Sequence, residues 1–521
     1  MSSKSKLFYF IEIFWLLLLL TFASMVYLNQ EFVNFFFNAD ILGFFNFFQD
    51  MFLNHVHYGD WSLSPAPHFF PDMLIFFPFL FLTKNIYYQF LITLWLMVIF
   101  TYFAVKFIYS QFFTKEKSVI FALAATSSFF LLALKGLSPY ILALVPAVHV
   151  GEFIIGILFI GIQVKILNQE EISFNTYALL GISVVLSFSS SLSDLLFIPQ
   201  FACSSCLAYT FLFLKNKLKF KQWIVFSNLA ILPAIFGGFI SKYLVPHAIL
   251  FKYLNHPSIR KITLNTIIYQ LHAVINIFKN INYVMSLFFI IFYINIFVIL
   301  YAMTFKKVKE KYFFNFKKSH IFIISFIFFS IFSSVISIFP LCGVNYVLDR
   351  YIMPFYFFSF LLFFIPISSI NNYNLISKIS TTIVLGIFFW FFVSVFIVYN
   401  KQGFKLKGNY YPEDIRCIDN ALRGQGRNGV AQYWTARPLS MLSKESLNVN
   451  QVLPNLSPFL QSANIKNKNF YSFAIIDTFS TWVLDQSLIE SINGKPKKII
   501  MCGDKKLLIY PENGLKIKKL I

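Results

Sequence analysis

LFYFIEIFWLLLLLTFASMVYL occupies residues 7–28, directly after the basic opening MSSKSK. Its only charge is Glu12. A helix rises 1.5 Å per residue, so a run of ~20 apolar residues can cross a hydrocarbon core ~30 Å thick. A cleavable signal peptide would have a shorter apolar core and a small-residue cleavage site. The run therefore reads as a retained first membrane helix, with its N-terminus in the cytoplasm. Similar runs recur downstream. The whole chain is 58% hydrophobic and 12% charged, against about 25% charged residues in an ordinary soluble protein. This is the composition of a polytopic α-helical membrane protein.

Two compositional features invite other readings. The 72 Phe, alongside abundant Ile, Asn and Lys, are read as AT-rich genome drift and not as a binding surface. The net charge of +21 would suit nucleic acid, but the Lys residues gather in short loops between apolar runs, where they set topology by the positive-inside rule. Nucleic acid is excluded as a partner.

With basic loops taken as cytoplasmic, the chain alternates through about 11 spans. They lie at about 7–28, 87–109, 118–134, 151–167, 175–190, 195–214, 222–240, 284–303, 320–338, 352–370 and 379–399. Residues 73–83 (MLIFFPFLFLT) are too short to span and contain Pro78, so they read as an interfacial or re-entrant piece. Residues 1–400 then form a transmembrane domain with large outer loops at 29–86 and 241–283. Residues 401–521 form a small extracytoplasmic α/β domain. Its strand-like runs are GVAQYW, SLNVNQVL, FYSFAII, KKIIMC and KKLLIY, separated by turn-rich or helix-like pieces.

Cysteine usage agrees with this division. Cys203, Cys206 and Cys342 lie in or beside spans. Cys203-Ser-Ser-Cys206 mimics a metal or redox motif, but with no His or second CxxC nearby it reads as small residues for helix packing. Cys417 and Cys502 are the only two in the soluble domain, which the topology puts in an oxidising compartment, and a disulfide between them is expected.

The scarce polar chemistry falls on the outer side. NADILGFFNFFQDMFLNHVHYGDWSLSPAPHFFPDM (38–73) holds Asp40, Asp50, Asp60 and Asp72 with His55, His57 and His68. KGLSPYILALVPAVHVGEF adds Lys135, His149 and Glu152, and SSSLSDLLFIPQ adds Asp194. The 241–283 loop adds Lys242, His247, Lys252, His256, Arg260 and Lys261, and NYVLDRYIMPF adds Asp349, Arg350 and Tyr351. Basic residues in an outer loop run against the positive-inside rule, so an anionic ligand or lipid headgroup is the physical candidate. A carboxylate can act as base on an acceptor hydroxyl while Lys and Arg neutralise a departing phosphate. Structural readings compete. Asp40 could be only a helix N-cap for ILGFFNFFQDMF, and Asp50 and Asp60 could be solvated loop residues. His55 and His57 with Asp60 lack helical i,i+4 spacing, so no metal and no other cofactor is expected.

These residues carry a family resemblance. A first helix followed by a large outer loop with an early Asp40 is one part of it, and the His/Pro-rich PHFFPDMLIFF is another. Glu152 after the third helix, DRYIMP before a late helix and a soluble outer C-terminal domain complete the pattern. Together they resemble the glycosyltransferase C (GT-C) superfamily, which takes sugars from polyprenyl-phosphate carriers at the outer face. Members often show an adjacent acidic pair in the first loop, whereas here Ile41 follows Asp40. The resemblance implies a bacterial inner-membrane enzyme that passes a sugar from a polyprenyl-phosphate donor to an envelope lipid, glycan or protein. It implies Asp40 and Glu152 as catalytic residues. Asp60, His68, Asp72, His149, Lys252, Arg260, Arg350 and Tyr351 would bind substrate. A transporter or flippase, an O-antigen ligase or polymerase, and a non-catalytic scaffold whose soluble domain recruits partners are the alternatives.

Overall fold

A computed structural model describes residues 3–63, 66–83, 85–145, 149–169, 173–244, 268, 283–304, 316–341, 349–369, 373–402, 406–460, 463–464, 470–478 and 482–518. The chain is mostly helical. Among the described residues, eight helices are long and apolar enough to cross a membrane: Lys6–Leu28, Ile86–Tyr109, Lys115–Leu134, Val150–Leu167, Phe174–Ser193, Phe220–Ser241, Lys318–Ser337 and Ser380–Ile397. Ile198–Leu214 is a shorter apolar stretch of helix, and the helix Tyr283–Thr304 is apolar over Phe288–Met303. The protein is a multi-pass membrane protein.

The tenth expected span differs in form. Residues 352–370 do not make one helix. Met353–Leu361 is a nine-residue helix, and a short turn follows at Pro366–Ser369. The segment still runs from one end of the bundle to the other. The Tyr351 carbonyl accepts from Gln200 at 3.1 Å, and Ser368 lies 3.1 Å from His320. Its side chains from Ile352 to Pro366 are nearly all buried. Packing on every side holds a broken backbone that lipid, which cannot satisfy freed peptide groups, would not.

Contacts sort the helix ends into two sets. At one end Glu12 pairs with Lys106, Tyr9 accepts from Lys115 at 2.6 Å, Asn168 reaches the Gln111 carbonyl at 3.2 Å, and the rings of Phe112 and His320 meet. At the other, the Leu28 carbonyl accepts from the Lys407 amide at 3.0 Å. The exit of the first helix and the entry to the C-terminal domain therefore share one end. Small residues let neighbours close up. Gly237, for example, lies against the backbone of Phe188, where a Cβ would collide.

The first loop builds a shelf at that second end. Ala39–Phe52 is an amphipathic helix that buries Ile41, Leu42, Phe44, Phe45 and Phe48. Phe45 packs on Phe76 and Phe90 with ring centroids 4.1 and 4.3 Å apart. Pro78 separates the short helices Leu74–Phe76 and Phe79–Leu82, so residues 73–83 form a non-spanning piece.

The C-terminal domain roofs the shelf. Its five-stranded sheet has the order β3-β2-β6-β8-β7, formed by β2 (Asn428–Ala431), β3 (Asn448–Gln451), β6 (Phe473–Asp477), β7 (Lys498–Cys502) and β8 (Lys505–Ile509). β3, β2 and β6 are parallel, and β8 runs antiparallel to both β6 and β7. A parallel pair needs a crossover, which Tyr433–Leu442 supplies between β2 and β3. GVAQYW is thus strand only to Ala431; its aromatic end begins that helix. β1 (Trp61–Ser62) of the first loop pairs antiparallel with β4 (Ala463–Asn464), binding roof to shelf. A disulfide joins Cys417, on Glu413–Leu422, to Cys502 on β7. Cys203 and Cys206 are free and half-buried on the membrane side.

Candidate functional site

Four chain segments bring ionisable groups together where the shelf meets the bundle. His149 takes a left-handed backbone (φ 72°) at the start of Val150–Leu167, which puts Glu152 in that helix's first turn. Asp194 follows Phe174–Ser193 directly. His149 Nδ1 contacts Asp194 Oδ2 directly, and the Glu152 carboxyl lies against Asp194. Glu152 and Asp194 are each 2% exposed. The first loop is pinned beside them, since the Phe70 amide donates to Ser193 Oγ at 2.8 Å. That contact brings His68 to 5.6 Å from the His149 ring and 3.7 Å from the Asp72 carboxylate. Asp72 lies over Gly151, where a Cβ would come within 2.7 Å of its Cγ. Only glycine lets this carboxylate sit on the first turn of the helix, at the positive end of its dipole.

The fourth segment is DRYI. Arg350 stacks over Tyr351 at 5.5 Å, and the Tyr351 ring lies 5.9 Å from His149. Ser330 and Ser333 hold the Pro199 and Gln200 carbonyls at 2.6 Å each, and Gln200 in turn holds Tyr351. The buried Nε of Arg350 has no hydrogen-bond partner among the described residues. Its charge is felt by His68 on one side and Tyr433 of the C-terminal domain on the other.

Asp40 lies on the Tyr433 side. It is exposed, and it accepts the Tyr433 hydroxyl at 2.5 Å. It is not the N-cap. Asn38 takes that role, with its side chain accepting from the Ile41 amide at 3.0 Å. Burial first, and then the neighbouring Asp40 carboxylate, raise the Tyr433 phenol well above its ordinary range, so it stays a hydrogen-bond donor.

Other expected site residues lie elsewhere. Asp50 is structural, accepting from Asn54 at 2.9 Å and Trp61 at 3.2 Å. His55 is exposed. His57 Nδ1 caps its own turn by accepting from the Gly59 amide at 3.1 Å. Asp60 belongs to that Tyr58–Asp60 turn leading into β1, apart from the His149 group. Lys135 stacks over Trp390 at 5.2 Å. His247, Lys252, His256, Arg260 and Lys261 fall outside the described residues, as do the side chains of Lys242 and Asp349.

Charge balance explains the cluster's internal pairing. Burial would raise the Asp194 carboxyl, but the adjacent His149 imidazole and the Glu152 hydrogen bond take it well below the usual carboxylate range. His68 is pushed down to about 3, chiefly by burial and then by its neighbours His149 and Arg350. It is therefore neutral at physiological pH. His149, Glu152 and Asp194 could also hold a divalent cation, since one donor atom from each lies within 4.8 Å of the others. Imidazole and carboxylate donors suit such an ion.

The His68 shift has a measurable consequence. The unfolded chain takes up the His68 proton below about pH 6.5, whereas the folded chain resists it down to about 3. Stability is therefore lost as pH falls through that window, by at most about 1.4 kcal/mol per pH unit. Thermal midpoints between pH 7.5 and 5 should drop on the acid side, and His68→Gln should flatten the slope. An unchanged slope in His68→Gln would remove His68 as the cause.

Comparison with protein-family models, curated proteins and solved structures gives no match. The functional reading rests on the site.

Proposed function

We propose that this chain is a polyprenyl-phosphate-dependent membrane glycosyltransferase of the C type, acting at the outer face of a bacterial inner membrane. The observation that carries the reading is the gathering of Glu152, Asp194, His149, His68 and Asp72, with Arg350 beside Tyr351 and the exposed Asp40 held by Tyr433, all at one end of the bundle. A transport path would place charges near the bilayer midplane, and a scaffold has no use for a buried guanidinium nitrogen that finds no partner among the described residues.

In this reading the donor's phosphate lies against Arg350, and Tyr351 flanks it. Asp40 takes the proton of an acceptor hydroxyl, and the oxygen attacks the anomeric carbon of the sugar. The bond from that carbon to the phosphate oxygen breaks, and polyprenyl phosphate leaves with the electron pair. Arg350 stabilises the charge that develops there, an effect that is large in a site shielded from water. Tyr433 holds Asp40 in place without neutralising it. The buried His149–Asp194 pair fixes the loop that carries His68 and Asp72. The acceptor is an envelope lipid, glycan or protein.

The reading requires this end of the bundle to face outward. Reporter fusions at residue 410 should be active only outside the cytoplasm. Activity confined to the cytoplasm would sink both the orientation and the enzyme assignment.

A further inference from the structure

Val150–Leu167 and Phe174–Ser193 pack side by side, and their adjoining ends bring three metal-ligating groups to one point. His149 stands just before the first of these helices, with Glu152 in its opening turn. Asp194 follows the second. One donor atom from each lies within 4.8 Å of the other two. Donors that share one ion at about 2.0–2.2 Å stand roughly 3–4 Å apart, so a single cation can draw on all three.

Burial separates this group from an ordinary surface cluster. Glu152 and Asp194 are each 2% exposed. Beyond its contact with Asp194, the Glu152 carboxyl finds no hydrogen-bond partner among the described residues. Asp72 brings a third carboxylate close enough to act on it. Carboxylates buried side by side need positive charge between them if they are to stay ionised. The other two donors are held ready. His149 keeps a left-handed backbone (φ 72°) that non-glycine residues seldom adopt, and from it the imidazole faces Asp194. Asp194 is steadied from behind, because its Oδ1 accepts from the Leu196 amide at 3.0 Å while Oδ2 faces His149. Ligating carboxylates are typically hydrogen-bonded in this way.

We propose that His149, Glu152 and Asp194 together bind a divalent transition-metal ion of the Zn²⁺ kind. One imidazole nitrogen and two carboxylates are donors that Zn²⁺ takes. Ca²⁺ prefers about six to eight oxygens, and Mg²⁺ keeps most of its water. Two ionised carboxylates and a dication also sum to zero charge, which limits the cost of burying them. The ion clamps two helix ends. The first loop rests on the same place through the Phe70 amide and Ser193. Asp40, held by Tyr433, is not one of the three ligands, so the inference does not rest on the transferase reading. No spacing in the sequence gave the site away, because its donors come from two separate loops and not from the His55, His57 and Asp60 stretch.

Detergent-purified full chain, carrying no polyhistidine tag and stripped with a chelator, is titrated with Zn²⁺ to test the proposal. Metal is counted by mass spectrometry after gel filtration. About one ion per chain is expected, with a thermal midpoint that rises on loading and falls again on stripping. Glu152→Gln keeps the side chain's size and should weaken Zn²⁺ about tenfold or more, since even groups that only support a ligand are worth about 10–100-fold. His149→Gln should do the same, whereas the double change of His55 and His57 to Gln should keep the ion. If one ligand variant loses its thermal transition, the other is read. If both do, Co²⁺ loaded into the wild type must show the visible bands of a nitrogen-ligated site. No retained Zn²⁺, retention equal in the wild type and both ligand variants, or Co²⁺ with the spectrum of the free aqueous ion would overturn the proposal. Asp40→Asn should hold Zn²⁺ as the wild type does. A metal-loaded chain whose deletion removes no envelope sugar would leave the site standing and end the transferase reading.

Discussion

Under the proposed function, Asp40→Asn is expected to lower sugar transfer by about 10²–10⁴-fold, a barrier rise of about 3–5 kcal/mol, while the protein accumulates to its normal level. The geometry separates these two outcomes. Asn38 and not Asp40 caps the Ala39–Phe52 helix, so the substitution costs no cap. Asparagine also keeps an oxygen to accept the Tyr433 hydroxyl, which now reaches Asp40 at 2.5 Å. What it loses is the carboxyl group that the proposed reaction needs as its base. Transfer measured on purified full chain, with melting as the control, reads both. Near-wild-type product would leave the base unassigned, with Glu152 the next residue to test.

Cys417→Ser destabilises the C-terminal domain by up to about 4.5 kcal/mol. Cys417 and Cys502 are 85 residues apart, and closing so long a loop removes much of the unfolded chain's freedom in the chain-entropy model. For a domain of this size the loss corresponds to roughly 15 °C of thermal midpoint. It is read as earlier proteolysis of the C-terminal domain in the intact protein. The wild type, never exposed to reductant, should show neither thiol to a labelling reagent. Two reactive thiols there would contradict the bridge.

Much of this architecture was legible in the chain, for physical reasons. An apolar run must be long to cross a bilayer, so Lys6–Leu28 and Ile86–Tyr109 stand out in the sequence. Lys bias in alternate loops tracks which helix ends meet. The Lys115–Tyr9 and Asn168–Gln111 contacts fall at one end, and the Leu28–Lys407 contact at the other. The break within 352–370 was not legible. Hydropathy reports that a segment is apolar, not that buried neighbours allow its helix to end at Leu361.

The site was legible as a list and not as a map. His68, Asp72, His149, Glu152, Arg350 and Tyr351 were named and do converge. Asp60 was also named, but it belongs to the Tyr58–Asp60 turn that leads into β1. Asp194 was noted only as one outer acid, yet it touches both His149 and Glu152. An acid between two apolar runs, in SSSLSDLLFIPQ, was the available signal. Tyr433 and Arg437 carried no signal. They sit in what reads as a strand and the chain after it, and only the fold lays that helix on Asp40 and Asn46, almost 400 residues away in sequence.

The most direct test of the account is mass spectrometry of envelope lipids, glycans and glycoproteins from cells lacking the gene, complemented with the wild type or with Asp40→Asn. The account predicts that one envelope component loses the mass of a sugar, that the wild type restores it, and that Asp40→Asn, present at equal abundance, does not. An envelope with no sugar missing after deletion would contradict it.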